Sequence, residues 1–138
     1  MFTLVKNRKY LRTVFFIYLG ITAFIAIFGG IYEQFSHDVM SKHMIYAYHW
    51  VFGFGALVYL FMWLMPFKKM PGVITECVYN TGVAMITMRS IYMGVVEIYG
   101  KSGNRMTLAY TVMTIIFLSI GAALLILCHL LPIKETKK

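Results

Sequence analysis

The sequence predicts an all-α integral membrane protein, folded as a four-helix transmembrane bundle. Three observations predict this class: 60% of the 138 residues are hydrophobic, only 13% are charged, and the mean hydropathy is +0.74. Soluble domains carry about 25% charged residues, so this chain is too apolar to be one. We expect residues 1–138 to form a single membrane domain with no separate soluble module.

Four segments are long and apolar enough to cross a bilayer as helices. A span needs about 20 mostly apolar residues to cross about 30 Å of hydrocarbon, and residues 14–32, 44–65, 73–99 and 106–131 meet that requirement. The first segment is too long for a signal peptide and lacks a small-residue cleavage pattern, so we expect it to be retained. Turn-forming residues between Pro66 and Gly72, and between Gly100 and Arg105, predict short connections.

The placement of positive charge predicts the orientation. Nine lysines and arginines fall on the side of the termini and only three on the other, with Arg89 inside the third span. By the positive-inside rule, both termini are then cytoplasmic, in a bacterial cytoplasmic membrane. The same placement explains the net charge of +8 without a nucleic-acid partner, because the basic residues flank the membrane instead of forming a basic stripe with interleaved aromatics.

Each span carries a stripe of small or polar residues at alternating steps of three and four. Such stripes let helices approach closely and hydrogen-bond across an interface in lipid, so we expect them to face the interior of the bundle. On the third span the stripe is Glu76, Asn80, Val83, Thr87, Ser90, Gly94 and Glu97. The others are Tyr18, Thr22, Ile25, Gly29 and Glu33; Tyr46, His49, Gly53 and Ala56; and Thr107, Thr111, Thr114, Leu118 and Gly121.

The stripes are predicted to converge at the outer end of the bundle, where acids, imidazoles and phenols accumulate. Such a group of side chains suits a small ligand, a cation or a proton, but the acids and histidines also suit structural pairs that lock the hairpins. The predicted ligand-binding residues are Glu33, His37, Tyr46, His49, Glu97, Tyr99 and Arg89, with His43, Thr107 and Tyr110 nearby.

Arg89 is a separate problem, because a permanently charged guanidinium near the middle of a span is costly. It is predicted either to bind an anion or contact another subunit, or to extend along Met85 and Met93 toward the outer interface. The sequence leaves both interpretations open.

The sequence leaves two other functions open, and it identifies no cofactor and no metal. A haem or metal redox subunit would use His49 with His37 or His43, because His129 lies about 20 Å or more away along the helices. A small dimeric transporter is the other alternative. Catalysis has no supporting motif, and the expected partners are the bilayer, a small ligand or cation, and a homodimer or membrane-complex partner.

Two strings carry a resemblance to known proteins. The string Tyr32-Glu33-Gln34-Phe35-Ser36-His37 and the string Gly94-Val95-Val96-Glu97-Ile98-Tyr99-Gly100 resemble an uncharacterised family of small four-span membrane proteins common in Gram-positive anaerobes. The resemblance runs from the first span to the turn before the fourth. It implies a pairing of Glu33 and His37 with Glu97, and no established chemistry.

Overall fold

Most of the described chain is helical. The computed structural model describes residues 8–35, 40–64, 71–100 and 105–130, with side chains in the last range as far as residue 127. These ranges contain no β-strand, so the all-α prediction is confirmed over them. In chain order the elements are α1 (Arg8–Gln34), α2 (Lys42–Ile45), α3 (Ala47–Trp50), a π-helix (Val51–Ala56), α4 (Leu57–Leu64), α5 (Val73–Ile98) and α6 (Arg105–Leu130).

Three helical segments of the described chain are long and apolar enough to cross a membrane. They are Arg8–Gln34, Lys42–Leu64 and Arg105–Leu127, and this supports the assignment to a membrane. The helix α5 does not reach the same apolarity, because it carries Glu76, Asn80, Arg89 and Glu97. It is also the helix with the most buried polar residues, so its low hydropathy follows from facing protein.

The segment Lys42–Leu64 is an irregular helix. Ser41 caps its start, a turn at Tyr46 separates α2 from α3, and six residues then wind as a π-helix. π-turns are wide and rare, and they occur often near functional sites. The Tyr79 hydroxyl of α5 donates a 2.6 Å hydrogen bond to the Phe54 carbonyl in this wide turn. Gly55 lies directly against the Tyr18 ring, where a Cβ atom would not fit.

The helices α5 and α6 pack closely and antiparallel. A Cβ on Gly82 would lie 2.8 Å from the backbone nitrogen of Leu118, and one on Gly121 would lie 2.7 Å from the Tyr79 Cα. Gly121 belongs to the stripe predicted on the fourth span, whereas Gly82 lies beside the stripe predicted on the third, and glycine at both positions allows this close approach. Buried on α5 are Thr75, Glu76, Tyr79, Gly82, Val83, Thr87, Ser90 and Gly94.

Helices that are neighbours in the chain pack against each other. The helix α1 packs along the segment Lys42–Leu64, and α5 packs against α2, α3 and the π-helix on one side and α6 on the other. Among the described residues, the backbone of α6 lies close to that of α5 and of no other helix. The four predicted stripes therefore do not meet in one shared core. The α1 stripe still faces the packed side, with Ile25 and Gly29 buried.

The short helices α2 and α3 present a different face from the one predicted, whereas Ala56, the last residue of the predicted stripe, is buried. Tyr46 is 53% exposed and His49 is also exposed, whereas Met44, Ala47 and Val51 are buried. The two faces differ by two residues, about 200° on a helix. Both are apolar enough to be buried, and the structure buries the one whose side chains fit between α1 and α5. The bulky amphipathic rings take the exposed side.

Candidate functional site

Glu33 of α1 and Glu97 of α5 are brought together at one end of the fold, which we call the Glu97 end. Ser41 links them: its backbone N–H donates to Glu33 Oε1 at 3.1 Å and its hydroxyl donates to Glu97 Oε2 at 2.6 Å. The short hydroxyl contact has the length of a charge-assisted hydrogen bond. Because Ser41 is only 1% exposed, the link between the two carboxylates is shielded from water.

Close packing beneath Ser41 holds the link in place. Met44 lies one turn further along and is 1% exposed. Its backbone oxygen would lie 3.2 Å from a Cβ on Gly29, and its Cβ would lie 2.8 Å from one on Gly94. Ser41 is also the N-cap of α2, since its hydroxyl accepts from the Met44 N–H at 3.4 Å. The start of the second segment is thus fixed between α1 and α5.

His43 completes the group that we call the carboxylate cluster: Glu33, Ser41, His43 and Glu97. Its Nδ1 lies 2.8 Å from Glu97 Oε1, and the contact is an ion pair by distance without an aligned hydrogen bond. Both side chains are 40% exposed, although Nδ1 itself is buried. Ser90 donates to the His43 carbonyl at 2.8 Å, which fixes the backbone at this point. The cluster therefore combines a buried link with carboxylate surface that water reaches.

Two tyrosines lie at the same end of the fold as the carboxylates. Tyr32 precedes Glu33 on α1 and is a neighbour of Tyr99, which follows α5 and is 72% exposed. Tyrosine faces attract cations electrostatically, and carboxylates attract them by charge. The Glu97 end thus offers both kinds of cation-attracting group.

Other predicted site residues lie elsewhere. Tyr46 and Tyr48 pack against the His49 ring, with centroid distances of 5.2 and 4.2 Å. Tyr46 and His49 lie on the exposed side of the second segment, and Tyr48 is partly buried against the core. His49 is not in contact with the carboxylate cluster, whereas His43 is. His37 falls outside the described residues. Among the described side chains, no three from His, Cys, Asp and Glu are grouped as metal ligands.

Arg89 lies between α5 and α6, away from the carboxylate cluster. Its Nε donates a 2.7 Å hydrogen bond to the Thr111 hydroxyl, which in turn donates to the Thr107 carbonyl at 2.7 Å. The side chain is half-buried. Arg89, one of the predicted ligand-binding residues, is therefore held by α6 and not by the carboxylate cluster.

A second polar cluster lies at the opposite end of the fold. Glu76 is 5% exposed and accepts a 3.0 Å hydrogen bond from the Tyr10 hydroxyl. One turn further along α5, the Asn80 side-chain oxygen accepts from Tyr18 at 2.8 Å and from Tyr59 at 2.9 Å. These bonds join α1, α4 and α5, which explains why so much polarity is tolerated between helices.

Sequence reasoning missed Ser41 and the partners of Asn80. Ser41 lies in a predicted connector, where a serine is ordinary, and only its position before α2 identifies it as an N-cap. Tyr59 lies on a face that the sequence did not assign to the interior. Glu76, Asn80 and Tyr18 were on predicted stripes, so only their pairing was missing.

Comparison with protein-family models, curated proteins and solved structures finds no match to this chain.

Proposed function

We propose that the protein is a non-enzymatic, multi-pass membrane protein that recognises a small organic cation at the carboxylate cluster. The observation that carries the proposal is the joining of Glu33 and Glu97, 64 positions apart in the chain, through the buried Ser41. A pre-formed pair of acids with water-accessible surface is suited to a cation, because little reorganisation is needed on binding.

The neighbouring aromatic rings favour an organic cation of the ammonium type. Tyr32 and Tyr99 are neighbours at the same end of the fold as the carboxylates, and ammonium groups bind carboxylates and tyrosine faces together. His43 shares this site, since its Nδ1 lies 2.8 Å from Glu97 Oε1 and its ring therefore bounds the space beside that carboxylate.

The orientation is part of the same proposal. All four long helical segments, including α5, cross the bacterial cytoplasmic membrane, with both termini inside. The Glu97 end then faces outward, where an external solute reaches it. The positive-inside distribution of lysine and arginine supports this orientation, and the close packing of α5 on the apolar α6 supports a membrane location for α5.

A binding experiment distinguishes cation recognition from a purely structural role for the cluster. Purified protein in nanodiscs is titrated with tetramethylammonium, choline and ethylammonium at constant ionic strength, and the shift of the melting temperature is followed. The proposal expects saturable stabilisation in the wild type, loss of that stabilisation in Glu97→Gln, and retention in His49→Gln, whose side chain is outside the cluster.

Two results would count against recognition. One is the absence of any saturable shift with all three cations, which would leave hairpin locking as the role of the cluster. The other is an equal shift in wild type and Glu97→Gln, which would place binding elsewhere. Unliganded stability of each variant is measured first, so that loss of folding is not mistaken for loss of binding.

A further inference from the structure

Arg89 lies in the contact between α5 and α6, well inside the ends of both helices. Its hydrogen-bond partner Thr111 follows the first residue of α6 by six positions, about 9 Å along the axis at ~1.5 Å per residue. On α5, nine positions separate Arg89 from the last residue, about 13 Å. Since α6 is apolar enough to span a membrane, the guanidinium lies below the level of the headgroups.

The charge of Arg89 is not offset by a carboxylate among the described residues. Its one hydrogen bond uses Nε and a neutral hydroxyl, and leaves the two terminal nitrogens for another partner. Of the five acidic residues of the chain, Glu33, Glu97 and Glu76 are engaged at the two ends of the fold. A charge held inside a span without an anion is costly, so an anion from outside the protein is favoured.

Simple extension of Arg89 to the membrane surface does not fit its geometry. The bond to Thr111 holds Nε at the level of the second turn of α6. The distance to the end of α5 is longer than an extended arginine side chain. In addition, Cα–Cβ bonds tilt toward the N-terminus of their helix. The end of α5 nearer to Arg89 is its C-terminus, so the Arg89 side chain starts out in the opposite direction.

A groove runs along the same contact between α5 and α6. It is lined by Met85, Met106, Ala109, Tyr110 and Met113, and its surface is almost entirely apolar. Met85 lies one turn from Arg89 on α5, so the two share a face. One turn from Thr111 toward the start of α6, the buried Thr107 hydroxyl has no hydrogen-bond partner among the described residues. Polar and apolar groups are thus placed next to each other along one contact.

We propose that Arg89 and this groove bind a membrane phospholipid with an anionic headgroup. The terminal nitrogens of Arg89 bind two oxygens of a lipid phosphate that is drawn below the surrounding headgroups, and an acyl chain lies along the methionines. Arginine suits this role because its planar fork matches phosphate geometry, and basic pockets between membrane helices recognise anionic headgroups. The inference is independent of the cation site, which lies at the end of the fold.

Native mass spectrometry of the purified protein tests this directly. The protein is released from detergent after exposure to equal amounts of phosphatidylglycerol and phosphatidylcholine with identical acyl chains. We expect the wild type to retain one phosphatidylglycerol with at least tenfold preference over phosphatidylcholine. Arg89→Gln should lose that preference, and Arg89→Lys should keep part of it, since lysine lacks the fork.

Two further variants test the contribution of the Arg89 charge and that of the apolar groove separately. Lys42→Gln removes an equal charge at an exposed site on another helix, and it should retain lipid like the wild type. Ala109→Phe fills the exposed groove without changing any charge, and it should reduce retention at least tenfold while Arg89 stays in place. Circular dichroism verifies that each variant is as helical as the wild type.

Four outcomes would overturn the proposal. They are equal retention by Arg89→Gln and wild type, no preference between the two lipids, replacement of phosphatidylglycerol by added oleate at equal concentration, and an Arg89-dependent dimer that carries no lipid. The last would assign the face to a second copy of the chain.

Discussion

Replacement of Ser41 by alanine removes the link between Glu33 and Glu97 on which the site depends. The change deletes the 2.6 Å hydrogen bond to Glu97 and the 3.4 Å cap on the Met44 N–H, and leaves the backbone bond to Glu33 in place. A hydrogen bond to a charged group contributes about 1.5–3 kcal/mol. Because the Glu97 side chain is 40% exposed, solvent screens its charge, and the lower limit of about 1.5 kcal/mol applies.

The cap adds a smaller amount. An N-cap serine contributes about 0.5–2 kcal/mol, and the long contact in this case places it near the lower limit. The expected loss for Ser41→Ala is therefore about 2 kcal/mol in the free energy of unfolding. Reversible unfolding in mixed micelles of sodium dodecyl sulfate and a mild detergent, followed by circular dichroism, measures it.

The matched control is Ser119→Ala. Ser119 is exposed and its hydroxyl donates only to the Ile116 carbonyl of its own helix, so we expect a change within about 0.5 kcal/mol. A double-mutant cycle of Ser41→Ala with Glu97→Gln then isolates the link, with an expected coupling of about 1 kcal/mol. A Ser41→Ala effect no larger than that of Ser119→Ala, or a coupling of zero, would refute the reasoning.

Three more predictions follow from the packing and the proposed orientation. Gly82→Ala should destabilise the protein by about 1–3 kcal/mol, because the new Cβ meets the α6 backbone, whereas Gly20→Ala, with open space around it, should be neutral or stabilising in the same unfolding assay. Tyr18→Phe and Tyr59→Phe should each lower the free energy of unfolding by about 0.6 kcal/mol, the contribution of a typical interhelical hydrogen bond in lipid. Because both hydroxyls donate to one Asn80 oxygen, the loss in the double variant should differ from the sum of the two single losses. Strict additivity would show that the two hydrogen bonds do not interact. A reporter fused to the C-terminus that is active only in the cytoplasm should be active, and activity of a reporter that requires export would contradict the proposed orientation.

The sequence predicted the joining of Glu33 and Glu97 for a physical reason. Both acids end stripes whose three- and four-residue steps are set by helix geometry, and the stripes on α1 and α5 are rich in glycine, serine and threonine. Such stripes have few alternatives in a membrane, because the residues outside them are mostly apolar. The burial of Thr87, Ser90 and Gly94 follows from the same steps.

The second segment was harder to predict, because both of its faces are apolar or aromatic. Its orientation depends on the fit of Met44 between Gly29 and Gly94, a tertiary contact that no local pattern encodes. The break at Tyr46 and the π-helix after it likewise depend on partners on other helices, such as Tyr79. For this reason the structure, and not the sequence, places His43 beside Glu97.

The sequence also did not predict how many helices pack against α6. Its threonine and glycine stripe predicts one close neighbour, which α5 supplies, but the stripe does not say how many helices share the core. The position of Arg89 against Thr111 depends on that same pairing. The sequence therefore identified the charge as unusual without locating its partner.

The most direct measurement of cation recognition uses the histidines as internal reporters. Protein with isotope-labelled histidine in nanodiscs is titrated with tetramethylammonium while the imidazole resonances are recorded by nuclear magnetic resonance. Because His43 contacts Glu97 and His49 does not, the proposal predicts a saturable shift at His43 and none at His49. No saturable shift at His43, or equal shifts at both residues, would contradict it.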